Sequence, residues 1–374
     1  MSEILVIQTA FLGDLLLGIP LFKELKGLYP GARVTVLCRQ GLGEFLTKAD
    51  LVDEVIEADK TSKASWAHAR ARVLRKHYDL LLCPHESFRS AWLAREVRAK
   101  KKIGYPRWFN RFVFDERVRR PLEFPEAIRQ LALLMPLSSP WRERVLSYQE
   151  AQARAGGQGI ARGELATVPS WADMSVSRLV GLRDAYLSNG DLTLASSDRV
   201  RDLVKRVGIS GRRVTCLAPG SVWRTKQWTS GGFTALARAK LSEGDLVLLI
   251  GSPQEKSLCE EIAASAPGAI SIAGETSLYE SAEVLALADL LVCNDSGAMH
   301  MAATARTPTV AVFGPTVLEF GYRPWQNQAC VAEVDLKCRP CGRHGADECP
   351  IGTHECMKAV KAEVVAELTR RLRS

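Results

Sequence analysis

Asn294-Asp295-Ser296-Gly297, followed by Ala298-Met299-His300, stands where an apolar run, Leu290 to Cys293, gives way to small residues. The pattern predicts a strand feeding a helix. At the carboxyl edge of a parallel sheet, such a turn aims backbone N–H groups and the positive end of a helix dipole at one spot, which suits a diphosphate. Gly297 lets the backbone come close, Ser296 offers a hydroxyl, and Asp295 can hold the loop or accept a hydrogen bond from a sugar. The same residues also read as an ordinary N-cap, where Asp or Ser binds the first helical N–H groups and no ligand is involved. His300 falls one turn into the helix, on a face that can look toward a bound diphosphate.

Three more turns offer chemistry. Gln8-Thr9-Ala10-Phe11-Leu12-Gly13-Asp14 follows the first strand; Asp14 can act as a general base toward an attacking hydroxyl, or simply favour the first turn of a helix. Pro219-Gly220-Ser221-Val222-Trp223-Arg224-Thr225-Lys226-Gln227-Trp228 follows a later strand and gathers the hydroxyls of Ser221 and Thr225 with the Lys226 ammonium. A lysine there can neutralise a departing diphosphate. Gly251-Ser252-Pro253-Gln254-Glu255 ends the next strand, and Glu255 can accept hydrogen bonds from a ribose or sit in a first helical turn.

Neither the dinucleotide fingerprint nor a Walker loop is present, since both glycine spacings are missing. No Asp-x-Asp pair suggests a metal-bound nucleotide. Of the six histidines only His300 lies in a candidate site. Among the ten cysteines, Cys338, Cys341, Cys349 and Cys356 form a group with His344 and His354 between them. Its first pair has zinc-site spacing but its second pair is six residues apart, so reduced, loop-stabilising thiols are expected and no metal is assigned.

Two α/β halves must position these turns. In the first, Ile4 to Ile7, Val34 to Cys38, Val52 to Ile56 and Leu80 to Cys83 read as strands, alternating with helices over Leu15 to Leu28 and about Ser65 to Lys76. Pro125 to Ala155 reads as interrupted helix, and Gly156-Gly157-Gln158-Gly159 as a flexible break. In the second, Val214 to Leu217, Leu246 to Ile250, Ala269 to Ile272, Leu290 to Cys293 and Thr309 to Phe313 are expected strands, with helices over Phe233 to Leu241 and Ser281 to Ala288. The expectation is an α/β protein with two Rossmann-like, parallel-sheet domains facing across a cleft, residues 1–190 and 191–354.

A length of 374 residues favours two domains, and 47% hydrophobic with 25% charged residues excludes a largely disordered chain. No apolar run approaches a membrane span and the start lacks a signal-peptide pattern, so a cytoplasmic protein is expected. The net charge is +8, and residues 89–120 alone carry that excess, with eleven basic side chains against three acidic ones. Interleaved with Trp92, Tyr105, Trp108, Phe109, Phe112 and Phe114, this window suits a polyanion: phosphorylated lipid at a membrane surface, or nucleic acid. It also reads as a solvated face.

Taken together the chain resembles the family-9 glycosyltransferases, the ADP-heptose:lipopolysaccharide heptosyltransferases, and within them the type II branch. The matching stretches are Ile4 to Asp14, Ser87-Phe88-Arg89-Ser90-Ala91, Gly104-Tyr105, Pro219-Gly220 through Lys226 and Trp228, Gly251-Ser252, Ala273-Gly274-Glu275-Thr276, Asn294 to His300, and Phe313-Gly314-Pro315-Thr316. Two departures fall in or near the acceptor half: Pro84-His85-Glu86 where the family pattern has Pro-Asn, and a longer segment from Ser139 to Asp191.

The resemblance implies a GT-B architecture, with the acceptor on the first domain, the sugar nucleotide on the second, and a C-terminal helix, in residues 355–374, returning toward the first. It implies inverting transfer of L-glycero-D-manno-heptose from ADP-heptose, without a cofactor or bound metal, to the phosphorylated lipopolysaccharide inner core. Asp14 and Lys226 would be catalytic. Ser221, Thr225, Glu255, Thr276, Leu278, Asp295, Ser296, Gly297 and His300 would bind the donor, and Gly13, Ser87, Arg89, Arg107 and Arg111 the acceptor. The expected protein is a monomer, peripheral to the cytosolic membrane face, that binds no nucleic acid. Another GT-B transferase or a sugar-nucleotide epimerase is the rival enzyme reading, and a nucleic-acid-binding module the rival of another class.

Overall fold

The branched apolar runs that read as strands are buried on both faces, as strands covered by helices on either side must be. In a computed structural model describing residues 2–154 and 167–373, they form two six-stranded parallel sheets. The first contains β1 (Glu3–Gln8), β2 (Arg33–Arg39), β3 (Glu54–Ala58), β4 (His77–Cys83), β5 (Arg98–Gly104) and β6 (Glu116–Arg117), in the order β3-β2-β1-β4-β5-β6. The second contains β7 (Val214–Ala218), β8 (Leu246–Leu249), β9 (Ile270–Ser271), β10 (Leu290–Asn294), β11 (Thr309–Val312) and β12 (Ala329–Ala332), in the order β12-β11-β10-β7-β8-β9. Each sheet reverses its winding once, between β1 and β4 and between β7 and β10. Ligands gather at the carboxyl ends of strands flanking such a reversal.

The chain divides into two compact units, one holding the first sheet together with Ser170–Met174, the other running from Ser175 through the second sheet. The division therefore falls near 174 and not at 190. The physical reason is helix Ser177–Asn189, which packs on helix Leu278–Leu287. From it, Arg183 Nη1 donates to the carbonyls of Ala286 at 3.0 Å and Ala288 at 2.5 Å. The expected break at Gly156 to Gly159 lies outside the described residues.

Two strands of the first sheet escape the sequence pattern. Arg98 to Lys102 carry charge on β5, and β6 is two residues long. Part of the basic window is thus an outer strand. The long first helix is also broken, into Leu12–Leu16 and Ile19–Leu28. At the break, a Cβ on Gly18 would lie 2.7 Å from Gln130 Oε1, so only glycine leaves Gln130 room.

At the carboxyl end, a short helix, Glu355–Lys358, precedes a second, Ala362–Arg373. Expected to return toward the first domain, this last helix instead packs with the second unit. Val365 and Ala366 join Phe233, Val310 and Met357 in that unit's core. Arg373 donates to Asp245 Oδ2 and Thr215 Oγ1, both at 2.7 Å. Asp245 is fully buried, and a buried carboxylate requires such a partner.

Candidate functional site

β10 lies beside β7, with Cys293 opposite Ala218, so the turn after each strand starts at the same sheet edge. Asn294, the last residue of β10, is fully buried. Its Oδ1 accepts from Trp228 N at 2.8 Å, and its Nδ2 donates to Pro219 O at 2.7 Å. One carboxamide therefore closes both ends of the loop from Pro219 to Trp228. Within that loop a 3-10 turn, Arg224–Lys226, brings Lys226 Nζ to 2.6 Å from Asp295 Oδ2. The same oxygen accepts from Thr316 Oγ1 at 2.6 Å.

Ser296 occupies the N-cap position of helix Gly297–Thr304 with extended backbone, but no side chain caps that helix. The N-cap reading thus holds for the backbone and fails for the hydroxyl. The helix presents its positive end next to an ammonium. His300, buried on the same helix, has an Nδ1 without a hydrogen-bond partner. Burial holds its pKa down to about 4; the Lys226 charge reinforces this and Asp295 opposes it. The imidazole is neutral at ordinary pH, and can donate or accept without adding charge.

The other expected donor contacts are less uniform. Thr225 is buried, and its hydroxyl donates to Ala346 O at 2.7 Å while accepting from Ala346 N at 2.8 Å. It pins a distant segment, leaving its hydroxyl committed. Glu255 forms a capping box with Ser252, accepting from Ser252 N at 2.7 Å. It also lies over Gly220, where a Cβ would fall 1.9 Å from Glu255 Oε1. Glycine at 220 is what lets the two loops meet. Ser221 is half-buried and its carbonyl accepts from Gln227 Nε2 at 2.9 Å. Thr276 Oγ1 is 2.7 Å from Ser281 Oγ, and Leu278 opens helix Leu278–Leu287.

The segment from Cys338 to Cys356 supports this cluster from two sides. Arg339 Nη2 donates to Thr316 O at 2.8 Å, and His354 Nε2 lies 2.8 Å from Thr225 O. The cysteines are free thiols. Cys349 Sγ accepts from His354 N at 3.3 Å, and this bond, with other backbone N–H groups of the same turn, holds its thiol below the usual range. Among the described residues no group of three or more His, Cys, Asp or Glu side chains can hold a metal ion.

In the first unit, Asp14 is the third residue of helix Leu12–Leu16 and half-buried, next to Gly13. Its carbonyl accepts from Gln130 Nε2 at 2.8 Å, and Gln130 Oε1 accepts from Gln8 Nε2 at 3.1 Å. Lys60, on the turn after β3, is brought down to about 8 by burial and by the Arg39 and Arg89 charges, with Asp14 opposing. Burial raises the carboxyl of Glu126, and the Asp14 charge adds to that. Asp14 thus sits among charged groups of both signs.

Ser87 caps helix Phe88–Glu96, and its hydroxyl joins a cluster around His85 Nδ1 that includes Ser90 Oγ at 2.9 Å and Thr9 Oγ1 at 3.0 Å. Burial drives His85 to about 3. Arg89 Nη1 donates to Lys60 O at 2.7 Å. Arg107 Nε lies 3.3 Å from Glu86 Oε1, and Arg111 covers the Phe112 ring at 4.6 Å. Ser87 and Arg89 therefore lie on the turns near Asp14. Arg107 and Arg111 belong to a separate aromatic turn.

Sequence reading did not single out Asn294 as a loop closer, nor Arg39, Lys60, Gln130 and Thr316. Lys60 and Arg39 had one usable signal, their position just past predicted strands. Asn294 and Gln130 had none, because their partners are remote in sequence.

The profile of "Glycosyltransferase family 9 (heptosyltransferase)" matches residues 175–351. The chain is 32% identical to a lipooligosaccharide heptosyltransferase 2 of Campylobacter jejuni over 44% of this chain and 52% of that protein, so it spans about half the length of that relative. It is 26% identical to a lipopolysaccharide heptosyltransferase 2 of Salmonella typhimurium over 85% of this chain and 84% of the relative. Among solved structures, that of E. coli ADP-heptose lps heptosyltransferase II superposes with a TM-score of 0.70 at 23% identity, covering 99% of this chain and 98% of the other. The fold is therefore that of the GT-B class, two Rossmann-like units, as the sequence leads one to expect.

Proposed function

We infer from the chain's glycosyltransferase family 9 domain, which spans residues 175–351, that the protein transfers heptose from ADP-heptose to the inner core of lipopolysaccharide. The observation that carries this reading is the uncapped N-terminus of helix Gly297–Thr304 beside Lys226, at the strand reversal of the second sheet. Such a spot stabilises a diphosphate leaving group. The names of the Campylobacter, Salmonella and E. coli relatives support the same donor and acceptor class.

The reaction is an inverting single displacement. The bond from the heptose anomeric carbon to the ADP β-phosphate oxygen breaks as a bond forms from that carbon to the acceptor hydroxyl oxygen. Asp14 accepts the hydroxyl proton. Lys226 and the Ser296-Gly297 backbone receive the charge that builds on ADP. Neutral His300 hydrogen-bonds in the same pocket through Nδ1, and the transition state, with positive charge on the sugar, gains from the Asp14 carboxylate. No metal takes part, and the protein works as a monomer at the cytosolic membrane face.

Incubating the purified protein with ADP-heptose and heptose-deficient core acceptors of graded length, and weighing the products, tests this. The expected result is addition of one heptose to one acceptor length with release of ADP. Turnover of the sugar nucleotide without acceptor transfer would mark an epimerase instead.

A further inference from the structure

Three hydroxyls converge on one ring nitrogen at the carboxyl edge of the first sheet. His85 follows β4 and Thr9 follows β1, the two strands between which that sheet reverses its winding. Ser87 caps helix Phe88–Glu96, and Ser90 is the third residue of that helix. His85 Nδ1 lies 2.9 Å from Ser90 Oγ, 3.0 Å from Thr9 Oγ1 and 3.3 Å from Ser87 Oγ.

The protons of this cluster can be followed. Ser87 Oγ donates to Ser90 Oγ at 3.0 Å and accepts from Ser90 N at 3.1 Å. Ser90 Oγ and Thr9 Oγ1 are 3.2 Å apart. Both of these residues are buried, and a buried hydroxyl places its proton on an acceptor. The contact between the two oxygens holds one of their two protons, so the other ends on Nδ1. A neutral imidazole that accepts at Nδ1 carries its hydrogen on Nε2. Burial, with the Lys60 and Arg120 charges, holds the ring neutral at ordinary pH.

Nε2 makes no hydrogen bond with the described residues and is not enclosed. A donor fixed in its tautomer from behind thus opens outward where ligands gather on such a sheet. Lys60 ties it to the proposed base, since the Lys60 charge acts on His85 and the Asp14 charge acts on Lys60. The Arg120 charge felt by the ring is spent on Glu86 and Glu126. An uncharged N–H in this setting suits an uncharged sugar oxygen better than a phosphate.

We propose that His85 Nε2–H donates a hydrogen bond to a hydroxyl or ring oxygen of the acceptor sugar, with Thr9 and Ser90 as the positioning residues that fix its tautomer. The proposal rests on the transfer reading for its ligand. The residue is this chain's own, because the heptosyltransferase pattern it resembles has Pro-Asn where Pro84-His85-Glu86 stands.

The test compares steady-state transfer to a heptose-deficient core oligosaccharide by wild type, His85→Asn and His85→Gln. Asparagine can place an amide oxygen where Nδ1 accepts but has nothing at Nε2, whereas glutamine reaches the Nε2 position with an N–H. His85→Asn should raise the acceptor KM by roughly tenfold and keep the ADP-heptose KM and the melting temperature. His85→Gln should recover most of the loss. The effect should persist on an acceptor stripped of its phosphates. Nitrogen NMR of the histidine rings should show His85 protonated at Nε2 alone from about pH 8 to about pH 5. An unchanged acceptor KM in His85→Asn overturns the proposal, as does a glutamine variant no better than the asparagine one. So does an effect confined to phosphorylated acceptors, or a ring protonated at Nδ1. All four leave the transfer reading standing. A wild type that transfers heptose to no acceptor removes that reading, and the proposal with it.

Discussion

Lys226 and Asp295 close on each other across almost seventy residues of chain, with side chains only 12% and 6% exposed. An ion pair this shielded is costly to break on one side, because the remaining charge is stranded. Lys226→Met is therefore expected to destabilise the fold by about 3 kcal/mol and to slow transfer by roughly 10²-fold or more. Lys226→Met/Asp295→Asn should regain much of the stability and none of the rate. Thermal melts and turnover of the three proteins check this; a double variant that recovers turnover would show that Lys226 does not serve the leaving group.

Asp14→Asn keeps shape and removes the basic carboxylate. Turnover should fall by roughly 10²–10⁴-fold. ADP affinity measured by calorimetry should stay unchanged, since Asp14 lies in the first unit and the Lys226–Asp295 pair proposed to meet the diphosphate lies in the second. A loss of ADP binding as large as the loss of rate would contradict its role as base.

The buried His300 and the half-buried His85 set a pH dependence. His300 and His85 are held at about 4 and about 3, against an ordinary value of 6.5. Below pH 6.5 the unfolded chain takes up protons that the folded chain refuses, so stability is full above that pH and declines as pH falls from 6.5 toward 4. The slope is up to about 1.4 kcal/mol per pH unit for each histidine. Denaturant melts at pH 7.5, 6 and 5 should show this decline, and His300→Gln should make it shallower. Stability that is flat across the window would mean that these rings are not desolvated.

Much of the fold is legible because apolar strands of four to six residues leave a plain mark. β5 is not, since Arg98 to Lys102 place charge on an outer strand where one face meets solvent. The site divides the same way. Asp295, Ser296, Gly297 and Lys226 stand out by type and by their place just past strands, but the Lys226–Asp295 contact depends on a 3-10 turn that no short pattern announces. Thr225 shows a related limit: its hydroxyl stands out beside a candidate lysine, but its partner Ala346 is 121 residues away and no local pattern announces it.

Asn294 gives the prediction least visible in the sequence. Asn294→Ala removes the acceptor for Trp228 N and the donor to Pro219 O inside the core, at a cost of about 2–4 kcal/mol. Hydrogen exchange should rise over residues 219–228 before it rises elsewhere, and the KM for ADP-heptose should increase more than kcat falls. Uniform exchange across the second unit would place Asn294 in general packing instead of loop closure.

Arg373 lies near the very end of the chain, yet its guanidinium neutralises the interior Asp245 beneath the second sheet. The final helical turn is thus tied into the interior of the second unit. Removing that turn would strip the carboxylate of one of its two guanidinium partners and leave it to Arg213 and the Thr215 hydroxyl.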